Sequence, residues 1–214
     1  MNLLGLFLSY LLLVLLFIIA LILPKYVNKE FTRKIIHIGI SNWYFIVLYI
    51  FDNYIIALIA PITFTFLNYL SFRYNLVKGI ERENKKDLGT IYYPLSLIIL
   101  VIFSCLCLQK PYIGAIGTFI LGYGDGLATI TGKLWGKKKL YKRKTYIGSM
   151  TMFIVSFIIM IIILSVYQPN QIILLSFLVA IGATLLELFS SKGFDNLTVP
   201  IGSSLLYYIL TLFK

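Results

Sequence analysis

An all-α bundle of membrane-spanning helices is the fold this sequence predicts, and three observations predict it. The 214 residues are 60% hydrophobic and only 13% charged, where a soluble domain carries roughly 45–50% apolar and about 25% charged residues. The apolar residues come in runs of about the 20 residues that cross a bilayer. The charges gather on alternate connections between those runs, and most are positive. A soluble chain of this size needs polar side chains over its surface; this one lacks them, so its outside has to face lipid. The length suits a single integral membrane domain over residues 1–214, with no room for a second, soluble one.

The first run, Asn2–Pro24, has no basic residue before it and no small-residue cleavage site after it, and so reads as a retained helix rather than a signal peptide. Further runs follow at Ile35–Phe51, Tyr54–Leu70, Thr90–Leu108, Tyr112–Thr131, Met150–Tyr167, Gln171–Phe189 and Leu197–Phe213. The expectation is about eight spans, seven being possible. Brief separations at Asp52-Asn53, Gln109-Lys110-Pro111 and Gln168-Pro169-Asn170 fit helical hairpins. The longer segment Ser71–Gly89 is expected to hold a short interfacial helix, with Leu76, Val77 and Ile80 toward lipid. Cys105 and Cys107 share one apolar segment and make no disulfide framework.

Charge orients the bundle. Seventeen of the nineteen Lys and Arg residues fall on connections at one end, in Lys25–Lys34, Ser71–Gly89, Gly132–Ser149 and at Lys192; Lys110 and Lys214 fall at the other. The basic end is therefore expected to be cytoplasmic and both termini outside. The net charge of +11 is read as this topology and not as a nucleic-acid footprint.

Of eight carboxylates, Glu30, Asp52, Glu81, Glu83 and Asp87 lie in connections, whereas Asp125, Glu187 and Asp195 fall in or beside apolar spans. Asp125 lies in Gly122-Tyr123-Gly124-Asp125-Gly126, thirteen residues beyond Tyr112, which is about 20 Å along a helix. That places it roughly 10 Å below the basic surface of a core about 30 Å thick. Glu187, Asp195 and the lone histidine, His37, are expected at the same end. Ionisable groups inside a bilayer are costly and mark functional sites. Gly122 and Gly126, four apart, let a neighbouring helix approach closely; three glycines in five residues also weaken the helix there, and a broken helix can turn N–H groups toward an anion.

The segment 132–149 is expected to be a basic cytoplasmic nucleotide-binding loop. Its seven Lys and Arg residues serve topology and can meet anionic lipid heads; they also suit polyphosphate, with Gly148 and Ser149 opening the next helix with free N–H donors. No GxxxxGK[ST] sequence is present. Carboxylates beside such a loop suggest a metal–nucleotide site, since Mg²⁺ uses one or two carboxylates plus substrate phosphates.

The pieces Arg33-Lys34-Ile35-Ile36-His37, Leu88-Gly89-Thr90-Ile91-Tyr92-Tyr93, Gly124-Asp125-Gly126-Leu127-Ala128, Gly132, Gly136, Lys144–Ser149, Glu187 and Asp195–Pro200 together resemble the dolichol kinase and phytol kinase family, which includes CTP-dependent diacylglycerol kinases. The resemblance spans about residues 30–202. It implies transfer of the γ-phosphate of CTP to a lipid alcohol (a polyprenol, a phytol-like alcohol or diacylglycerol), with Mg²⁺, giving a lipid monophosphate and CDP. On that basis Asp125 and Asp195 are the expected metal ligands, and Glu187 is a further ligand or the group that positions the attacking hydroxyl. Arg33, Lys34, Lys133, Lys137, Lys138 and Lys144 are the expected phosphate contacts, with Gly124, Gly126, Thr145, Gly148, Ser149 and Asn196 also at the nucleotide and His37 and Thr90 beside it. Two other readings compete: a phosphatidate cytidylyltransferase, whose long signature is absent, and a transporter or flippase, whose midplane site and inverted repeats are not evident.

Overall fold

The computed structural model describes residues 1–74, 88–167, 170–191 and 193–213. The expected interfacial helix around Leu76, Val77 and Ile80, and Lys192, lie outside the described residues.

Nine helices carry the described chain: α1 (Asn2–Ile22), α2 (Lys29–Ser41), α3 (Trp43–Tyr49), α4 (Tyr54–Tyr74), α5 (Gly89–Cys107), α6 (Pro111–Trp135), α7 (Tyr146–Tyr167), α8 (Ile172–Phe189) and α9 (Asp195–Leu212). Six of them, α1, α4, α5, α6, α7 and α8, are long and apolar enough to cross a membrane. The all-α membrane bundle stands, but two of the eight expected spans take another form. The second is broken at Asn42 into α2 and α3, and α2 begins at Lys29, well before the apolar run. Asn28 fixes that start by accepting the Glu30 N–H at 2.9 Å, a side-chain N-cap. The last, α9, opens on Asp195-Asn196 and carries serines and tyrosines, so it is a helix less apolar than the six.

The helix α6 is the axis of the bundle. Of its most apolar stretch 78% is buried, against 17% for α1 and for α4, which lie at the periphery. It packs against α2, α7 and α9, while α7 pairs with α8 and α8 with α9. Glycines set these crossings. A Cβ at Gly122 would lie 2.3 Å from Ser41 Cβ, and one at Gly126 would lie 2.6 Å from Ile38 Cγ1, so this pair of glycines seats α2. A Cβ at Gly124 would lie 2.9 Å from Met152 Sδ on α7. The helix is not broken at these glycines; it widens into π geometry over Ile120–Asp125. Such wide turns lie disproportionately at functional sites.

The segment 132–149 is not a loop throughout. Helix α6 runs on to Trp135, a hairpin of β1 (Lys139–Tyr141) and β2 (Lys144–Thr145) follows, and α7 begins at Tyr146. The hairpin turns at Lys142, whose φ is +48°.

Candidate functional site

Five elements bring their ionisable side chains together at the basic end of the bundle. Lys34 and His37 come from α2, Asp125 from the π-turn of α6, Lys144 from β2, Glu187 from the last turn of α8, and Asp195 from the first turn of α9. Lys34 Nζ pairs with Asp125 Oδ2, and Lys144 Nζ with Glu187 Oε1. His37 Nε2 lies 3.5 Å from Asp125 Oδ2. Lys34, His37, Asp125, Glu187 and Asp195 are all buried, Asp125 completely.

The α2 seat on α6 explains the first pair. Lys34, Ile38 and Ser41 share one face of α2, at helical spacing, and that face meets Gly122 and Gly126 on either side of Asp125. Small residues let the backbones approach until a lysine on one helix reaches a carboxylate on the other. His37 is held by Tyr93 of α5, whose hydroxyl donates to the His37 carbonyl at 2.9 Å and whose ring centroid lies 4.3 Å from the imidazole.

The second pair is the pivot of the cluster. Burial works against the charge on Lys144, but the carboxylates of Asp125, Glu187 and Asp195 outweigh it and raise the ammonium above its ordinary value. Two buried oxygens in the cluster, Asp125 Oδ1 and Glu187 Oε2, have no hydrogen-bond partner among the described residues. A buried acceptor without a partner is costly. Both belong to carboxylates whose other oxygen is held by a lysine, Lys34 for Asp125 and Lys144 for Glu187. Among the described residues no three His, Cys, Asp or Glu side chains converge as a metal cage. The unpartnered Asp125 Oδ1 leaves one carboxylate oxygen of the cluster open to a ligand.

The remaining expected site residues divide. Arg33 pairs with Glu30, and Lys133 Nζ lies 3.9 Å from the other Glu30 oxygen, forming a rim where α2 and α6 emerge. Lys137 and Lys138 are exposed and lie just before the hairpin. The Thr145 hydroxyl accepts the Gly148 N–H at 3.1 Å, so it caps α7 and takes the donor expected to meet phosphate. Ser149 is buried, and among the described residues its hydroxyl has no partner. Asn196 donates its amide to the Gly89 carbonyl at 2.7 Å and its N–H to Asp195 Oδ1 at 3.1 Å, tying α9 to the start of α5. The Thr90 carbonyl accepts from Asn68 at 2.8 Å.

Two participants were not expected. Glu30 looked like an ordinary connection residue, but it lies in the first turn of α2 and joins Arg33 to Lys133. Tyr93 lay inside a motif that carried the resemblance and had no role; a phenol within an apolar run gives no signal of its own.

The chain is 35% identical, over 184 aligned residues, to the phytol kinase of Synechocystis sp., which covers 83% of this chain and 78% of that protein. The chain belongs to the phytol kinase family. It is also 29% identical over 216 aligned positions to a probable chloroplastic phytol kinase of Triticum aestivum, covering 89% of this chain and 71% of that one. With probable phytol kinase 1 of Oryza sativa subsp. japonica it shares 29% identity over 215 positions, 87% of this chain and 66% of that one. No family model and no solved structure matches it. Membership agrees with the resemblance drawn from the short motifs and makes the protein a lipid-alcohol kinase.

Proposed function

We propose that this lipid-alcohol kinase transfers the γ-phosphate of CTP to an isoprenoid alcohol of the phytol type, at the cluster around Asp125 and Lys144. The observation that carries the reading is the pair of orphaned carboxylate oxygens, Asp125 Oδ1 and Glu187 Oε2, set beside two lysines at the basic end of the bundle. The names of the relatives supply the acceptor class, and the motif resemblance supplies CTP.

In this reading Lys34 and Lys144 leave their carboxylates to meet the phosphate oxygens, with Arg33 and Lys133 at the rim to hold the outer phosphates. Asp125, with Asp195, would hold Mg²⁺, which neutralises charge developing on the transferring group. The free oxygen of Glu187 accepts the hydrogen of the lipid hydroxyl and aims it. The hydroxyl oxygen forms the new bond to the γ-phosphorus, the bond to the bridging oxygen breaks, and CDP leaves with the electron pair. The packed π-turn keeps water from competing. The basic end faces the cytoplasm in this reading, with eight membrane crossings and both termini outside. A lipid then presents its hydroxyl at the interface while the nucleotide arrives from water.

The test uses protein reconstituted in lipid with γ-labelled CTP or ATP, Mg²⁺ and a panel of phytol, geranylgeraniol, polyprenol and diacylglycerol. Label passing from CTP into phytol or a similar prenyl alcohol is the expected result. Label from ATP alone discards the nucleotide. Label into diacylglycerol alone discards the acceptor. Pyrophosphate released on adding phosphatidate would place the chemistry at the α-phosphorus.

A further inference from the structure

The hairpin between α6 and α7 sorts its basic residues by direction. Lys144 points inward to Glu187. Lys137, Lys138, Lys139, Lys142 and Arg143 are all exposed. The hairpin is not a loose tip: Tyr146 N–H donates to the Lys138 carbonyl at 3.2 Å, and the Tyr141 ring packs 5.4 Å from that of Phe189 at the end of α8. The backbone that carries Lys144 is thus the backbone that carries the five outward cations.

The surroundings of those five are apolar. Trp135 is 63% exposed, Tyr146 57% and Met150 62%, with Leu134 beside them. These residues end α6 and begin α7, two helices long and apolar enough to cross a membrane. Their ends mark the edge of the hydrocarbon, where Trp and Tyr are enriched because one part of the ring is apolar and the other wet. Five cations just beyond that edge lie at the level of the headgroups. Among the described residues none of the five pairs with a carboxylate, whereas Lys34 and Lys144 pair with Asp125 and Glu187.

We propose that the outward face of this hairpin, formed by Lys137, Lys138, Lys139, Lys142 and Arg143, docks on the phosphate groups of anionic membrane lipids, with Trp135 and Tyr146 anchored at the interface beneath it. The attraction is worth roughly fivefold in binding for each Lys or Arg near an anionic surface, and it is screened within about 10 Å at 0.1 M salt. Docking holds the hairpin down, and with it the position of Lys144 against Glu187. The lipid surface thereby becomes part of what fixes the candidate site. The proposal stands on the membrane fold and does not need the kinase reading.

The chain has two tryptophans, and Trp43 is buried, so quenching from the headgroup region reports on Trp135. The full chain is reconstituted in phosphatidylcholine vesicles containing a headgroup-level nitroxide on either phosphatidylglycerol or phosphatidylcholine, at matched label. The expected result is preferential quenching by the anionic label, by about fivefold or more, falling with salt and lost in a variant with Lys138, Lys139, Lys142 and Arg143 all changed to Gln. Those side chains are exposed, and an unchanged Trp43 emission checks that the variant is folded. Lys133→Gln, at the rim, should keep the preference. Equal quenching by the two labels overturns the proposal. So does full displacement of the anionic label by CTP or tripolyphosphate, which would assign the same cations to the nucleotide.

Discussion

Replacing Lys34 by Met removes the ammonium that faces Asp125 while keeping most of the side chain's length. Lys34 is 4% exposed and Asp125 is fully buried. Breaking a buried pair from one side costs about 3–5 kcal/mol, because the other charge stays behind uncompensated. Two neighbours soften that here: Lys144 also acts on the Asp125 carboxylate, and His37 Nε2 is 3.5 Å away. The expected loss is therefore near the low end, about 3 kcal/mol. Adding Asp125→Asn removes the stranded charge, so the double variant should be more stable than Lys34→Met alone, with a coupling energy of about 1–3 kcal/mol. Reversible unfolding in mixed micelles, followed by the emission of buried Trp43, supplies the four free energies of the cycle. A coupling below about 0.5 kcal/mol would refute the reasoning, since the pair would then behave as an exposed one.

Gly117→Ala should destabilise by about 1–3 kcal/mol or more, because the new Cβ would lie 2.1 Å from the Pro200 carbonyl oxygen on α9 and neither backbone can yield; thermal unfolding checks this, and Ala at no cost would mean that the α6–α9 crossing is looser than described. Glu187→Gln keeps the shape and removes the proton acceptor, so kcat should fall by about 10²–10⁴ with the KM for nucleotide little changed; an unaltered kcat moves the role elsewhere. The raised value of Lys144 sets a pH sign: the contribution of its ion pair is fully present below the ordinary value of 10.5 and is lost as pH rises through the native value. Stability should accordingly fall more steeply above that pH in the native chain than in Lys144→Gln, and parallel curves would remove the pair from the folded state.

The parts of the fold that composition controls were legible: six apolar runs became helices at nearly the expected bounds. The second run failed because hydropathy sees Asn42 as one polar residue in an apolar stretch, whereas in the structure its side chain accepts the Tyr123 hydroxyl at 2.5 Å where the chain changes helix. The glycines around Asp125 were read both as a close helix contact and as a break. The contact won, because each glycine is covered by a neighbour's side chain and the ladder could widen by one residue without opening. In the site, depth was legible but pairing was not. Spacing along a helix locates Asp125 and Glu187 at one end of the bundle, yet only the crossing of α2 on α6 and the turn of the hairpin decide that Lys34 meets the first and Lys144 the second. The basic segment was legible as a charge cluster, whereas its division into Lys144 paired with Glu187, Lys133 at the rim and five exposed cations depends on the path of the seven-residue hairpin Lys139–Thr145, which the charges obscure.

The charges in the buried cluster do not cancel, and this bears on what binds there and in what company. Lys34 and Lys144 stand against Asp125, Glu187 and Asp195, so with His37 neutral the cluster carries one net negative charge. A nucleoside triphosphate arriving without a cation brings several more negative charges into a poorly screened place, and the two lysines can only serve it by abandoning their carboxylates. In the proposed reading a divalent cation arriving with the phosphates would offset the charge at Asp125 and Asp195 and release Lys34, the partner of Asp125. Nucleotide affinity should therefore depend on Mg²⁺ by about tenfold or more, the effect of 1.4 kcal/mol. Asp125→Asn should shrink that dependence from both sides, strengthening cation-free binding while weakening binding with Mg²⁺. Equilibrium binding of CTP to the reconstituted protein, with Mg²⁺ and with chelator, distinguishes the cases. Equal affinity under the two conditions would mean that the lysines alone neutralise the phosphates and that the orphaned oxygens of Asp125 and Glu187 are completed by something other than a metal.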